Sequence, residues 1–346
     1  MKKIVLTGGG TAGHIYPALA LVPYLKDYEI HYIGSDGMEK EILKKHPKII
    51  FYEIPAVKLI RKFTFKNFLI PFKLFASINI ARKILRDIKP NIIFSKGGFV
   101  SVPVVLAGKW LKIPVVSHES DLSMGLANKI ILKRCDVMCT TFFETSKISK
   151  KCIFTGQPIR KELLIPTSGD YKQKFEVQKP VLLVIGGSLG ASFLNNLVYE
   201  NIDELTMDFN VIHITGKNDK NNFSHGGYLK INYADDMAKV YASSDIVLSR
   251  AGSGVINELL ALCKPMLLIP LSKKCSRGDQ IENAKLFKKL NYAEVIEEEN
   301  LTKNKLIKNL KKIIKNKKYY IENMKKADAN HACERIIKII SNYSNN

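Results

Sequence analysis

The sequence predicts a parallel α/β protein made of two doubly wound units, and three observations lead there. Apolar runs of strand length alternate with helical patterns along the chain. Two of these runs, Lys3–Leu6 and Val181–Ile185, enter glycine-rich turns, Thr7-Gly-Gly-Gly-Thr-Ala-Gly-His14 and Gly186-Gly-Ser-Leu-Gly-Ala191. The turns stand about half a chain apart, and 346 residues exceed one comfortable core, so each turn is expected to open its own domain.

In the first half, strands are expected near 3–7, 29–33, 49–53, 91–95, 114–118, 136–140 and 152–155, each an apolar run bounded by turn residues. A second series follows near 181–185, 210–214, 229–232, 245–249, 266–270 and 293–296, with helices opening near 189, 234, 253, 279 and 301. Between them, the segment from Gly156 to Lys179 carries prolines and Thr167-Ser-Gly-Asp170 without periodicity, and reads as the interdomain connection. Lys303 to Ser341 reads as one or two lysine-rich amphipathic helices. The expected domains are residues 1–158 and 159–327, with a last helix at 328–346 packing back on the first domain.

Composition narrows the class. No apolar run reaches the ~18 residues of a spanning helix, and the apolar start at Ile4 meets glycines too early for a signal peptide core, so a cytoplasmic protein is expected. The net charge of +22 favours polyanions: nucleic acid, an anionic membrane surface or phosphorylated substrates. No nucleic-acid-binding module signature supports the first. The six cysteines form no CxxC pair and no zinc spacing, and reduced thiols are expected.

Ligands of parallel sheets lie outside the carboxyl ends of the strands, so the informative residues follow each strand. Gly8, Gly10 and Gly13 match G-x-G-x-x-G, and Asp36 follows the next strand, a dinucleotide-like pattern in which Asp36 nevertheless stands beyond the strand end. His14 at the turn's edge is a candidate general base, because an imidazole is easily poised near neutral pH. Gly97 and Gly98 in Ser95-Lys-Gly-Gly-Phe-Val-Ser101 leave room for an acceptor phosphate. Val115-Val-Ser-His-Glu-Ser-Asp121 ends a buried strand with three ionisable residues, which points to a site wall. In the second half, Ser188 and the N–H groups of Gly186–Ala191 suit a diphosphate. Another glycine turn, with Gly252 and Gly254, follows Arg250; Glu258, about one turn inside the helix it opens, suits ribose hydroxyls.

Taken together, these segments resemble the MurG family, which adds N-acetylglucosamine from UDP-N-acetylglucosamine to lipid I in peptidoglycan synthesis. The resemblance spans nearly the whole chain through Thr7–His14, Lys96–Ser101, His118-Glu119 with Gly125–Lys129, Gly156–Arg160, Gly186–Ala191, Asp235–Met237, Arg250–Glu258 and Asp279-Gln280. It implies the glycosyltransferase B fold, two Rossmann-like domains facing across a cleft. It implies Ser188 as the diphosphate contact, Arg160 as a donor-side contact, Ala234 and Ser253, Gly254 and Val255 around uracil and diphosphate, and Glu258 on the ribose. Asp279 and Gln280 would meet the sugar hydroxyls, while Thr11, Ala12 and Gly13 would face donor sugar and acceptor. Two departures stand out: Ser120-Asp121 replaces a usual Gln-Asn, so that Asp121 stands where the resemblance implies an asparagine meeting the donor sugar, and Ser253-Gly-Val255 replaces a usual Ala-Leu-Thr, leaving mostly backbone groups for that binding.

The implied reaction is an inverting displacement by the muramyl 4-hydroxyl of undecaprenyl-diphosphate-linked lipid I, giving lipid II. His14 is the preferred base, with Glu119 and Asp121 open as alternatives. No Asp-x-Asp motif occurs, so neither metal nor cofactor is expected, and the turn at Gly186–Ala191 would meet the leaving charge. A lipid acceptor places the enzyme peripherally on the cytoplasmic face of the cell membrane, near other cell-wall synthesis proteins. Phe65, Phe68, Leu69, Phe72 and Phe75 recur at helical spacing among Arg61, Lys62, Lys66 and Lys73, which reads either as an interfacial helix or as a core helix with basic flanks. A diacylglycerol glycosyltransferase, a nicotinamide or flavin oxidoreductase and a non-catalytic polyanion binder are the competing readings. The first shares the donor half, the second leaves the Gly186 and Arg250 turns unexplained, and the third accounts for charge alone.

Overall fold

A computed structural model of the chain describes residues 1–55, 70–187 and 190–345. It contains two compact units, Met1–Arg160 with His331–Asn346, and Lys161–Asn330.

The first unit runs β1 (Lys2–Thr7), α1 (Ala12–Leu19), β2 (Tyr28–Gly34), α2 (Met38–Leu43), β3 (Ile49–Glu53), α3 (Ile70–Ile88), β4 (Ile92–Ser95), α4 (Ser101–Trp110), β5 (Val115–Glu119), α5 (Leu126–Leu132), β6 (Val137–Thr140), α6 (Phe143–Ser146) and β7 (Cys152–Phe154). Its seven strands lie in the order β3-β2-β1-β4-β5-β6-β7, and every described pairing is parallel. Alternation along β1 sends Ile4 and Leu6 to one face and Val5 to the other. On the first face they meet Ile15 and Ala18 of α1; on the second Val5 meets Ala81 and Leu85 of α3 and Val104 of α4. Both sheet faces are therefore covered, which is why the strands read as continuous apolar runs.

The second unit runs α7 (Lys161–Leu164), β8 (Val181–Ile185), α8 (Ser192–Glu200), α9 (Ile202–Asp208), β9 (Asn210–Ile214), β10 (Tyr228–Ile231), α10 (Met237–Ser243), β11 (Ile246–Ser249), α11 (Ser253–Ala261), β12 (Met266–Leu268), α12 (Asp279–Lys289), β13 (Ala293–Val295), α13 (Lys303–Lys315) and α14 (Lys317–Lys325). Its six strands, order β10-β9-β8-β11-β12-β13, are again parallel. Both sheets thus reverse strand order beside their first strand, between β1 and β4 and between β8 and β11. At such a switch point the neighbouring crossovers lie on opposite faces and leave a crevice outside the strand ends.

The last helix, α15 (Ala332–Ser344), belongs to the first unit. Cys333, Ile336 and Ile340 fall on one stripe and join the cluster of Ile4 and Leu6, and Tyr28 and Ser344 share a 2.6 Å hydroxyl hydrogen bond. The boundaries differ from those read in the sequence. The first unit extends to Arg160 because Ile159 is buried and its carbonyl accepts from Cys333 Sγ at 3.5 Å, and that unit resumes at His331. The stretch from Lys161 to Lys179, expected as part of the interdomain connection, belongs to the second unit and packs on α10 and the start of β11: Tyr171 N donates to Ser243 Oγ at 3.2 Å and Lys172 pairs with Asp245 at 3.0 Å. The lysine-rich end forms three helices, and the third belongs to the other unit.

Candidate active site

In the first unit the turn after β1 is held from below by two side chains that carry no motif. Tyr32 donates its hydroxyl to Gly8 O at 2.6 Å. The buried Glu39 carboxylate accepts from Ser35 N at 2.9 Å, Ser35 Oγ at 2.5 Å and Gly10 N at 3.3 Å. Burial and the nearby Glu39 charge raise the Tyr32 phenol well above its ordinary range, so it stays a donor. Asp36, the residue at dinucleotide spacing, is instead 71% exposed and pairs with Lys40 at 2.9 Å, so the dinucleotide pattern ends there.

Thr11 caps α1 in extended conformation, Thr11 and Gly13 are exposed, Ala12 is buried and His14 is half-buried. The glycine turn after β4 comes up against them. Gly98 has φ +82°, and a Cβ there would lie 2.8 Å from Gly9 O and 3.3 Å from His14 Cδ2. Only glycine lets the two turns approach this closely. The structure thereby brings together Gly8–Gly10, His14 and Gly97–Gly98 at the switch point of the first sheet.

At the end of β5, Glu119 is buried and accepts from Asp121 N at 3.0 Å, Gly125 N at 3.1 Å and Asn128 Nδ2 at 3.0 Å. Three donors suit a carboxylate that holds the β5–α5 turn in shape. His118 is fully buried, with Nε2 donating to Gly156 O at 2.9 Å. Burial, reinforced by the Lys96 charge, holds its pKa well below the ordinary value, so the imidazole is neutral. Asp121 is half-exposed beyond them. Arg160, expected on the donor side, lies in the first unit with its guanidinium 4.7 Å from the Tyr16 ring centroid.

In the second unit the turn after β8 is as tight. Gly190 has φ +76°, and a Cβ there would lie 2.3 Å from Thr215 O. Ser188 lies outside the described residues. After β11, Ser253 is buried and accepts from Asn257 Nδ2 at 3.3 Å, with Gly254 and Val255 half-exposed at the start of α11. Glu258 accepts from the buried Tyr241 hydroxyl at 2.9 Å. Arg250 serves the framework: it pairs with Glu298 at 2.6 Å and donates to Ile269 O at 3.1 Å, tying the ends of β11 and β12 together.

Gln280 Oε1 accepts from Leu271 N at 3.0 Å, which turns its amide nitrogen toward Gly252, 4.0 Å from where a Cβ would stand. Asp279 opens α12 and is paired with Arg277 Nε at 3.2 Å. Ala234 is half-exposed, preceded by Tyr233, whose ring carries the Lys217 ammonium at 4.4 Å. In the motif Asp235-Asp-Met237, Asp236 accepts from Lys239 N at 3.2 Å and so caps α10. Gly252–Glu258 and Gln280 share the β11–β12 end of the second sheet. Sequence reasoning gave no role to Tyr32, Glu39, Lys96 or Tyr241; the one available signal was Lys96 standing directly before Gly97-Gly98, and the other three carry none.

Both halves of the chain match known domains. Residues 4–140 match the glycosyltransferase family 28 N-terminal domain and residues 181–340 its C-terminal domain. A Clostridium tetani protein named UDP-N-acetylglucosamine–N-acetylmuramyl-(pentapeptide) pyrophosphoryl-undecaprenol N-acetylglucosamine transferase is 49% identical over 99% of this chain and 98% of its own. A Clostridium botulinum (strain Hall) protein of the same name is 48% identical over 99% of this chain and 100% of its own. Among solved structures, Acinetobacter baumannii MurG superposes with a TM-score of 0.76 at 22% identity, covering 99% of this chain and 100% of that one, a likeness of fold.

Proposed function

From the premise that this chain belongs to the MurG family within glycosyltransferase family 28, with the glycosyltransferase B fold, we propose that it moves N-acetylglucosamine from UDP-N-acetylglucosamine to the 4-hydroxyl of the undecaprenyl-diphosphate-linked muramyl sugar, giving lipid II for peptidoglycan. The observation that carries the reading is the 49% identity running through 99% of the chain, which includes both switch-point turns.

In this reading the second unit holds the donor. The N–H groups of Gly186–Ala191 and the start of α8 take the diphosphate, Glu258 takes the ribose hydroxyls, and Gln280 with Asp279 takes sugar hydroxyls. The first unit holds the acceptor, with its diphosphate at the glycine turns after β1 and β4. The acceptor oxygen bonds to the anomeric carbon as the anomeric carbon–phosphate oxygen bond breaks. UDP leaves with the electron pair, and the hydroxyl proton passes to His14. His14 suits the base better than Glu119, whose carboxylate already accepts three donors. The charge growing on the leaving diphosphate is met by the turn's N–H groups and the helix dipole, without a metal.

A lipid-borne acceptor requires approach to a membrane, and no described helix is long and apolar enough to cross one. Peripheral attachment at an anionic surface is supported by α3 and α4, where Phe72 and Phe75 are 74% and 60% exposed and the exposed Trp110 ring lies 4.4 Å from the Arg82 guanidinium. Phe65, Phe68 and Leu69 lie outside the described residues. The cytoplasmic face, where UDP-sugars reside, completes this reading. The test is transfer of labelled N-acetylglucosamine to a lipid I analogue, with diacylglycerol as the control acceptor. Product from lipid I alone is expected; product from diacylglycerol alone would overturn the assignment.

A further inference from the structure

Lys96 is the one lysine among the described residues that the fold buries completely, at 0% exposure. Its ammonium donates to Ser120 Oγ; Ser120 in turn donates to Gln157 Oε1 at 3.2 Å, and Gln157 also accepts from Thr141 Oγ1 at 2.8 Å. The backbone of Lys96 is fixed as well, with its N–H donating to Thr7 O at 2.8 Å beside the first glycine turn. This places a positive charge under the two residues, Ser120 and Asp121, where the chain departs from the usual family pattern. Glu119 and Asp121 stand two residues apart at the strand end, and both act electrostatically on the Lys96 ammonium, which is the cation that offsets their like charges.

Resting on the function proposed above, we propose that Lys96 is a positioning residue that holds the Glu119–Asp121 segment in the shape that meets the donor sugar. A buried ammonium costs several kcal/mol of desolvation, and a methionine of similar length would fill the same space without that cost, so the fold's stability alone does not explain the charge. The groups facing Lys96 are Glu119 and Asp121, which favour its charged form, with Cys139 from β6; His118 lies on the same side and is kept neutral. Burial outweighs them and pushes Lys96 down to about 8. The counter-charge is then present at neutral pH and is lost as pH rises through that value.

The experiment compares the native enzyme with Lys96→Met and Ser120→Ala in the lipid I transfer assay, recording thermal midpoint, donor KM, kcat and the pH profile of kcat/KM. Expected for Lys96→Met are an unchanged or raised midpoint, a donor KM raised about tenfold or more, and loss of the native alkaline limb near pH 8. Ser120→Ala keeps the ammonium, so it should raise donor KM about threefold and keep the limb. A lowered midpoint with unchanged donor KM, or an unchanged limb in Lys96→Met, overturns the proposal and leaves Lys96 a structural residue. Should Lys96→Met fail to fold, Ser120→Ala decides alone: unchanged donor KM overturns the role and raised KM supports it. No transfer by the native enzyme overturns the function itself, and this role with it.

Discussion

Tyr241 donates its hydroxyl to Glu258 Oε2 at 2.9 Å, so the carboxylate assigned to the ribose is aimed by a residue on a different helix. Tyr241 is buried on α10 and Glu258 is half-buried on α11. A carboxylate relieved of one donor rotates more freely and loses a hydrogen bond worth about 1 kcal/mol. Tyr241→Phe is therefore expected to weaken UDP binding about fivefold with little change in kcat. Titration calorimetry with UDP and with its 2′,3′-dideoxy analogue checks this. The effect should vanish for the analogue, and equal weakening of both nucleotides would remove the coupling to the ribose.

His14→Ala separates chemistry from donor binding. The imidazole lies against Gly98 in the first unit, whereas every residue assigned to uridine lies in the second. Loss of a general base should lower turnover about 10²-fold to 10⁴-fold. UDP-dependent protection against thermal unfolding should be unchanged. Near-native turnover would return the role of base to Asp121 or Glu119.

Gly98→Ala tests the close approach of the two turns. The substitution places a methyl 2.8 Å from Gly9 O at a φ of +82°, which costs about 1–3 kcal/mol of backbone strain before any displacement of His14. Turnover should fall more steeply than stability, since His14 Cδ2 is only 3.3 Å away from the new carbon. Gly226→Ala, with open space around it, is the control and should leave both unchanged. Denaturant midpoints and turnover measured on both variants decide it.

The parts of this fold that were legible in the sequence share a cause. Strands buried on both faces must be apolar throughout, and turns that approach a neighbouring backbone must be glycine, so β1 with Gly8–Gly10 and β8 with Gly186–Gly190 announce themselves. What stayed hidden depends on contacts between residues far apart in sequence. Nothing local in the sequence marks Glu39, whose carboxylate is found under Gly10, and Lys96 stands only as the first residue of the Lys96–Ser101 motif until the fold shows its side chain fully buried. Asp36 shows the reverse: a suggestive spacing ended in a surface ion pair with Lys40, because the chain turns just after β2 and carries it out to solvent. Arg160 was expected with the donor residues, yet burial of Ile159 against α15 anchors it in the first unit.

Acid should weaken the second unit through His213. Its ring is buried between the Tyr228 hydroxyl at 3.1 Å and Asn195 Oδ1 at 3.1 Å, and burial pushes its pKa down to about 4, against the pull of Asp219. From pH 6.5 down to about 4 the unfolded chain binds a proton that the folded chain refuses, so stability falls with pH across that window. The loss amounts to roughly 3 kcal/mol once pH reaches the folded value. Urea midpoints at about pH 7, 5.5 and 4.5 should fall in that order for the native chain. His213→Gln should flatten the slope; an equal slope in both would assign the acid sensitivity to other groups.

The proposed membrane attachment makes its own demand on α3. Phe72 and Phe75 lie one helical turn apart and are exposed, whereas Ser77, Ala81, Leu85 and Ile88 hold the helix to the sheet. Charges introduced at the two phenylalanines should therefore spare the fold. Burying a phenylalanine is worth about 1.5–3 kcal/mol, so Phe72→Asp with Phe75→Asp should weaken binding to vesicles containing anionic phospholipid by about tenfold or more. Raised salt should weaken the native protein's binding as well, because Lys73, Arg82, Lys83 and Arg86 on the same helix contribute through a screened field. Turnover on a short-chain, water-soluble acceptor should match the native value, while turnover on vesicle-borne acceptor falls. A double variant with a native thermal midpoint and undiminished vesicle binding at low salt would move the membrane contact away from α3.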